Sequence, residues 1–363
     1  MREKTLDGSR TRREFIQAVS SGLAAAAAVS SASGPLLGTA LPAQGANVTW
    51  KNRIGLETYT VRDRLTSDFE GTLAEVARLG YTEIEPASGY NNMSPKDFRA
   101  MLDRLKLTMP STHTAARGTG AELDRQLEGF QIMGLKYTEI AAAAGNGGGA
   151  PTPAPGSGAA PAAPLAPGAY FDRGTGILHN SFTEVEAFGP YQPAVTLESV
   201  KQRAAQLNAN GKTLQRFGMK TFVHNHTGEF EKLKDSPRTT YDVLLAETDP
   251  ELVTMQLDVG WAYIAGIDPI ALFKAHPGRF ELWHVKDVFG LKKVNPSLGP
   301  NDRVASMAIV PVGTGHIDFR PVFANAALAG LRHFAVEQDN AATWGDSLAA
   351  ARVSYENLKK VLP

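Results

Sequence analysis

Two histidines two residues apart, His224 and His226, close a strand-like run at Thr221–Val223, and a carboxylate, Glu229, follows three residues later. Side chains two apart in a strand share a face, so both imidazoles would look the same way. Three further apolar runs end in groups that bind cations or move protons. They are Met255-Gln256-Leu257-Asp258, Leu282-Trp283-His284-Val285-Lys286-Asp287 and Phe334-Ala335-Val336-Glu337-Gln338-Asp339. Asp258, His284 and Glu337 offer two carboxylates and an imidazole, with His224 or Glu229 as a fourth ligand. That mixture suits Mn²⁺, Zn²⁺, Co²⁺ or Fe²⁺ better than Ca²⁺, which prefers oxygen alone. A divalent ion held there can grip two neighbouring oxygens of a sugar. It can also stabilise the enediolate left when a proton leaves the carbon beside a carbonyl. Glu337, His224 and His113 are the candidate groups to move that proton.

Other polar residues stand at the ends of apolar runs. Glu57 ends the first, Glu85 the second and His113 the third. Glu57, Glu85, His226, Glu229 and Lys286 are candidate substrate contacts, and Trp261 could stack on a sugar face. Ordinary structural roles compete with these: Asp258 as the cap of the next turn, Lys286-Asp287 as an ion pair. Recurrence at four successive strand ends favours the metal. The glycine-rich turn from Val312 to Asp318 lacks the lysine and spacing of a phosphate loop; it reads as a tight connection before a helix capped by Asp318.

The elements that must position these residues alternate along the chain. Strands are expected at 54–59, 81–85, 107–113, 136–141, 221–226, 252–258, 280–286 and 332–337. Helices are expected at 69–79, 95–105, 123–133, 197–217, 240–247, 269–276, 319–329 and 347–362. Gly80, Gly134, Gly218 and Gly330 mark helix C-termini. Eight strand–helix units predict an α/β chain folded as a (β/α)8 TIM barrel, whose chemistry sits at the C-terminal ends of the strands. A doubly wound open sheet is the runner-up, weakened because no glycine-rich dinucleotide loop follows the first strand. A Gly/Ala/Pro-rich block at 145–169 is too poor in apolar residues to bury a core and reads as a loop insertion. Residues 171–193 read as irregular loop.

The 363 residues carry 37 basic and 37 acidic side chains, and this neutrality argues against a nucleic-acid partner. No cysteine is present, which excludes thiolate ligands and a cysteine nucleophile. Thr11-Arg12-Arg13-Glu14-Phe15-Ile16 is a twin-arginine pattern, followed by an alanine-rich stretch too short to span a membrane and by a small-x-small site at Gly38-Thr39-Ala40. Residues 1–46 are therefore expected to be a leader read by the twin-arginine export machinery. The barrel would occupy 47–363 and work in the periplasm or outside the cell, without stable membrane insertion. Self-association as a homo-oligomer stays open.

From Arg53 to Leu362 the chain resembles the xylose isomerase-like TIM barrels of sugar phosphate isomerase/epimerase type, and specifically a secreted subgroup with a twin-arginine leader. The likeness rests on Gly55-Leu56-Glu57-Thr58-Tyr59-Thr60-Val61-Arg62-Asp63, Val223-His224-Asn225-His226 with Glu229-Phe230, Leu257-Asp258-Val259-Gly260-Trp261, His284-Val285-Lys286-Asp287, Val312-Gly313-Thr314-Gly315 with Ile317-Asp318, and Val336-Glu337-Gln338-Asp339. It implies a metal held by Glu, Asp, His and Glu on strands five to eight. The last three fall on Asp258, His284 and Glu337, and His224 takes the first glutamate's place. The epimerases use their two glutamates as a pair of acid–base groups, and a histidine in one place also fits a lyase or hydratase. Trp261 stands where they carry a further histidine. The expected activity is a metal-dependent isomerase or epimerase of a non-phosphorylated carbohydrate. The alternative is a lyase or hydratase on a keto-sugar or glycoside. A metal-dependent endonuclease and a non-catalytic sugar-binding barrel are weaker expectations.

Overall fold

Helix caps written in the sequence set the outer layer. Asp68 accepts a hydrogen bond from Gly71 N to open the helix Phe69–Leu79, which Gly80 closes at φ +110°. Ser94 accepts from Asp97 N, and Pro95 begins the helix Pro95–Leu105. Leu197–Gln215 and Thr240–Glu247 each start with a capping box, Thr196 with Ser199 and Thr239 with Asp242. Such caps satisfy amide groups that the first helical turn leaves without partners.

The structure, a computed structural model, describes residues 49–141, 170–172, 177–179, 195–290 and 307–362. The expected leader and the 145–169 insertion lie outside the described residues. Six parallel strands are hydrogen-bonded in the order Glu83–Glu85, Gly55–Glu57, His333–Val336, Leu282–Val285, Val253–Asp258 and Thr221–His224. Isolated parallel bridges join Glu83 to Thr108, Ser111 to Tyr137 and Tyr137 to Lys220, and so carry the sheet round to its starting edge. The chain is a (β/α)8 barrel. The strands are buried along nearly their whole length, as expected when helices cover the sheet.

Several elements depart from expectation. The third and fourth barrel positions pair through isolated bridges only, and Pro110, in the middle of 107–113, has no N–H to give a ladder there. The first strand stops at Glu57, whose Oε2 accepts from Tyr59 N at 2.7 Å and starts a 3₁₀ turn over Thr58–Val61. The helix expected at 319–329 is two, Phe319–Ala324 and Ala326–Ala329. Asn325 separates them, its side chain donating to Pro321 O at 2.8 Å. Within the loop expected at 171–193, Tyr170–Asp172 pairs antiparallel with Ile177–His179. A hairpin of Asp287–Phe289 with Ala308–Val310 follows the seventh barrel strand.

Between sheet and helices lies an aromatic layer. Phe273 stacks on Trp283 at 5.0 Å, and Trp283 meets Phe323, which packs in turn on Trp50 and Phe334. Phe273→Ala is expected to cost about 3–5 kcal/mol through lost burial and the cavity left behind. It would be read as a lower urea midpoint at unchanged slope, and a change under about 1 kcal/mol would contradict the packing account. Among the described residues no helix is long and apolar enough to cross a membrane.

Candidate metal centre

Strand register brings the ligands to one level. His284 lies opposite Asp258 on one side and Ala335 on the other, and His224 lies opposite Gln256. One donor atom each from His224, Asp258, His284 and Glu337 falls within 4.8 Å of all the others. His284 Nδ1 is 2.7 Å from Glu337 Oε2 and 4.0 Å from Asp258 Oδ2; His224 Nε2 is 3.7 Å from Asp258 Oδ2. These atoms are buried, and none has an aligned hydrogen-bond partner. One such orphan costs about 1–3 kcal/mol, so four converging on one point favour an occupant that engages all of them. Two imidazole nitrogens and two carboxylate oxygens are a donor set for a divalent transition ion. The residues present therefore fit the expected metal.

Asp258 and His284 are anchored on their far sides. Asp258 Oδ1 accepts from Trp261 N at 2.8 Å, so the capping role and the metal role use different oxygens of one carboxylate. Asn225 accepts from Asp258 N at 3.0 Å. His284 Nε2 meets Glu85 Oε1 at 2.7 Å. Burial, and then the neighbouring imidazoles His284 and His113, hold His224 well below the ordinary imidazole range, so it presents a neutral lone pair. Burial opposes charge on His284, but the Glu85 and Glu337 carboxylates outweigh it and lift the group well above that range. A cation must then displace a proton. Apparent metal affinity is expected to rise with pH through neutrality, with about one proton released per ion. Calorimetry in buffers of different ionisation enthalpy measures that release; pH-independent uptake without it would refute the account.

Lys286 is fully buried. Its Nζ lies 3.2 Å from Asp258 Oδ2, 3.2 Å from Glu337 Oε2 and 2.6 Å from Asp339 Oδ2. It also sits over the Trp261 ring, 4.7 Å from the centroid. Expected as a substrate contact, it instead directs its charge at the ligand carboxylates. A Cβ on Gly260 would come within 2.8 Å of Lys286 Cβ, so the small residue makes room for this lysine. Burial favours protonation of Glu337, yet Lys286 and His284 keep its carboxyl well below the usual range. Burial raises Asp258, and it raises Asp339 to about 6.

Glu85 and His113 form a second group with the opposite edge of His284. His113 Nε2 is 2.9 Å from Glu85 Oε1 and 2.9 Å from Gln256 Oε1. Burial works against charge on His113, but Glu85 prevails and its imidazole is raised to about 9. Glu57 is buried at the end of the first strand. Burial and then Glu337 push its carboxyl well up, favouring the neutral acid. His226 donates its backbone N–H to Glu229 Oε2 at 2.8 Å, and its ring stands edge-on to Trp261 at 5.6 Å. Among the three groups that competed for the fifth-strand ligand, His224 is the one brought into the four-residue set.

Gln256, Asp339, Ser111 and Asn225 were not singled out as site residues by sequence reasoning. The strand period could have found two of them: Gln256 lies two before Asp258 and Asp339 two after Glu337, each sharing its neighbour's face. Nothing local marks Ser111 or Asn225, whose partners are 26 and 33 residues away.

No family model matches the chain. It is 28% identical over 161 residues to an inosose dehydratase of Lactiplantibacillus plantarum, spanning 43% of this chain and 52% of the relative. It is 33% identical over 122 residues to an inosose dehydratase of Salmonella typhimurium, spanning 32% of this chain and 39% of the relative. The match thus spans about half the length of these relatives, or less. Among solved structures it is similar to a sugar phosphate isomerase/epimerase from Parabacteroides distasonis, with TM-score 0.55 and 19% identity over 88% of this chain and 98% of that one. The IOLI protein with a bound zinc atom gives TM-score 0.53 at 13% identity, covering 85% and 98%. An L-ribulose 3-epimerase gives TM-score 0.50 at 14% identity, covering 85% and 94%. The relatives found by sequence carry enzyme names. The structural likeness establishes one thing about this chain: it has the fold of the xylose isomerase-like sugar isomerase and epimerase barrels.

Proposed function

We propose that this chain is a divalent-metal-dependent lyase that takes a proton from the carbon beside a carbonyl of a non-phosphorylated carbohydrate and expels the oxygen on the next carbon. The observation that carries the reading is the convergence of four buried donor atoms without an aligned hydrogen bond, from His224, Asp258, His284 and Glu337, at the C-terminal ends of the barrel strands. Bound there, a divalent ion would polarise the carbonyl and offset the charge that develops on its oxygen.

The chain's own groups supply the proton transfers. Glu337 stays ionised beside Lys286, and with Oε2 turned to the centre its Oε1 is left to accept the substrate proton. His113 has Nε2 committed to Glu85 and Gln256, which leaves Nδ1 to hand a proton to the departing oxygen. A carbon–carbon double bond forms, the carbon–oxygen bond breaks, and a hydroxyl leaves as water. A carboxylate base and an imidazole acid are unlike partners, which suits elimination better than a symmetric two-base exchange. The inosose dehydratase relatives support the same choice.

An isomerase or epimerase shares the first proton abstraction and differs only in where the proton returns; the likeness to an L-ribulose 3-epimerase favours keeping it as the second reading. The twin-arginine pattern at Arg12-Arg13 supports work outside the cytoplasm, where free sugars and glycosides outnumber sugar phosphates.

The test is NMR in D₂O with protein loaded with Mn²⁺, Co²⁺ or Zn²⁺ and offered inosose, keto-sugars and keto-glycosides. A dehydrated or unsaturated product is the expected result. Deuterium gained without elimination would move the assignment to isomerase or epimerase. No exchange with any ion would overturn both.

A further inference from the structure

Glu85 is a densely hydrogen-bonded carboxylate beside the centre. Its oxygens meet His284 Nε2 at 2.7 Å, His113 Nε2 at 2.9 Å, Gln256 Nε2 at 2.9 Å from each oxygen, and Ser111 Oγ in a short contact. A carboxylate offers about four lone-pair directions. Glu85 is also buried, 3% exposed, so no acceptor capacity remains for a sugar hydroxyl.

The donors around it fix which ring nitrogens carry hydrogen. An ionised carboxylate only accepts, so the Gln256 face turned to Glu85 must be the NH₂ group. Its amide oxygen then faces His113 Nε2, 2.9 Å away, and that nitrogen must be N–H. The same logic puts hydrogen on His284 Nε2. Each histidine keeps Nδ1 as its other functional atom: on His284 the atom that belongs to the metal set, on His113 the atom left for proton transfer.

We propose that Glu85 is a positioning residue that sets the ring orientation of both His284 and His113 by holding the Nε2 edge of each, so that one carboxylate prepares the cation ligand and the proton carrier together. This rests on the metal-centre reading above. Glu85, expected as a substrate contact, thus acts on the reaction through two histidines. Buried carboxylates that receive the second N–H of a metal-binding histidine commonly matter this much: their loss typically weakens metal binding about 10–100-fold.

The experiment compares wild type, Glu85→Gln and Glu85→Asp. Co²⁺ titration followed by visible absorption gives metal affinity without any substrate. ¹H–¹⁵N NMR of the metal-free proteins reports whether the Nε2–H groups of His284 and His113 are held in hydrogen bonds. Glu85→Gln is expected to lose 10–100-fold in Co²⁺ affinity, with the rings of His284 and His113 no longer held as Nε2–H. Glu85→Asp, which keeps the acceptor, should recover part of both. Co²⁺ affinity within twofold of wild type, or unchanged Nε2–H signals of both rings, would overturn the proposal. Should Glu85→Gln fail to fold, Gln256→Leu and Ser111→Ala loosen the carboxylate without removing it, and the same two readings decide. Wild type that takes up no Co²⁺ would defeat the metal reading instead, while the Nε2–H spectra would still judge Glu85.

Discussion

His284→Ala is expected to abolish metal retention and to lower kcat/KM by a factor on the order of 10³, equivalent to about 4 kcal/mol of transition-state stabilisation. The imidazole has two jobs on opposite edges. Nδ1 joins His224, Asp258 and Glu337 in the donor set, and Nε2 ties that set to Glu85. Its removal leaves three donors, and Glu85 loses one of its hydrogen-bond donors. The loss should be catalytic and not a collapse of the barrel, because neighbouring strand residues such as Trp283 and Val285 carry the core packing. Metal analysis after dialysis, turnover at saturating metal and far-UV circular dichroism separate these effects. A variant with full metal content and wild-type turnover would remove His284 from the centre.

Lys286→Met is expected to have a large effect on stability. The ammonium touches three carboxylates in a water-free position. Removing one partner of a buried ion pair leaves the others uncompensated and typically costs about 3–5 kcal/mol. Asp258 and Glu337 are also proposed metal ligands, so a divalent ion should restore part of what the lysine supplied. The metal-free variant should therefore unfold at much lower urea, and added Co²⁺ should raise its midpoint more than that of wild type. Equal midpoints for variant and wild type without metal would show that the lysine does not hold the carboxylates. An unequal pair with no extra response to Co²⁺ would show that the two cations do not substitute for one another.

Much of the architecture could be read directly from the chain. The helices at 69–79, 95–105 and 240–247 begin where their N-caps say, and the first ends at Gly80, because capping is a local affair of a few residues. Four runs ending in Asp258, His284, Glu337 and the His224 region revealed a site because polar groups at successive strand ends of a barrel have one place to meet. Less legible were elements ruled by competition between side chain and backbone. Glu57 ended its strand by capping the following turn, and Asn325 split a helix. Residue types alone allow either outcome at these positions.

What the sequence by itself determined was the alternation of strands and helices, and with it the set of residues at the C-terminal strand ends. Residue types restricted the chemistry to nitrogen and oxygen ligands and carboxylate or imidazole proton carriers. Only the tertiary structure decided among them. It chose His224 over His226 and Glu229 for the donor set, because strand register brings His224 level with Gln256 and towards Asp258, while Glu229 is used to hold the His226 backbone. It turned Lys286 onto three carboxylates and Glu85 onto two histidines, assignments that depend on contacts between residues up to 199 positions apart. Pairings at that range are fixed by closure of the barrel, and no local pattern in the chain encodes them.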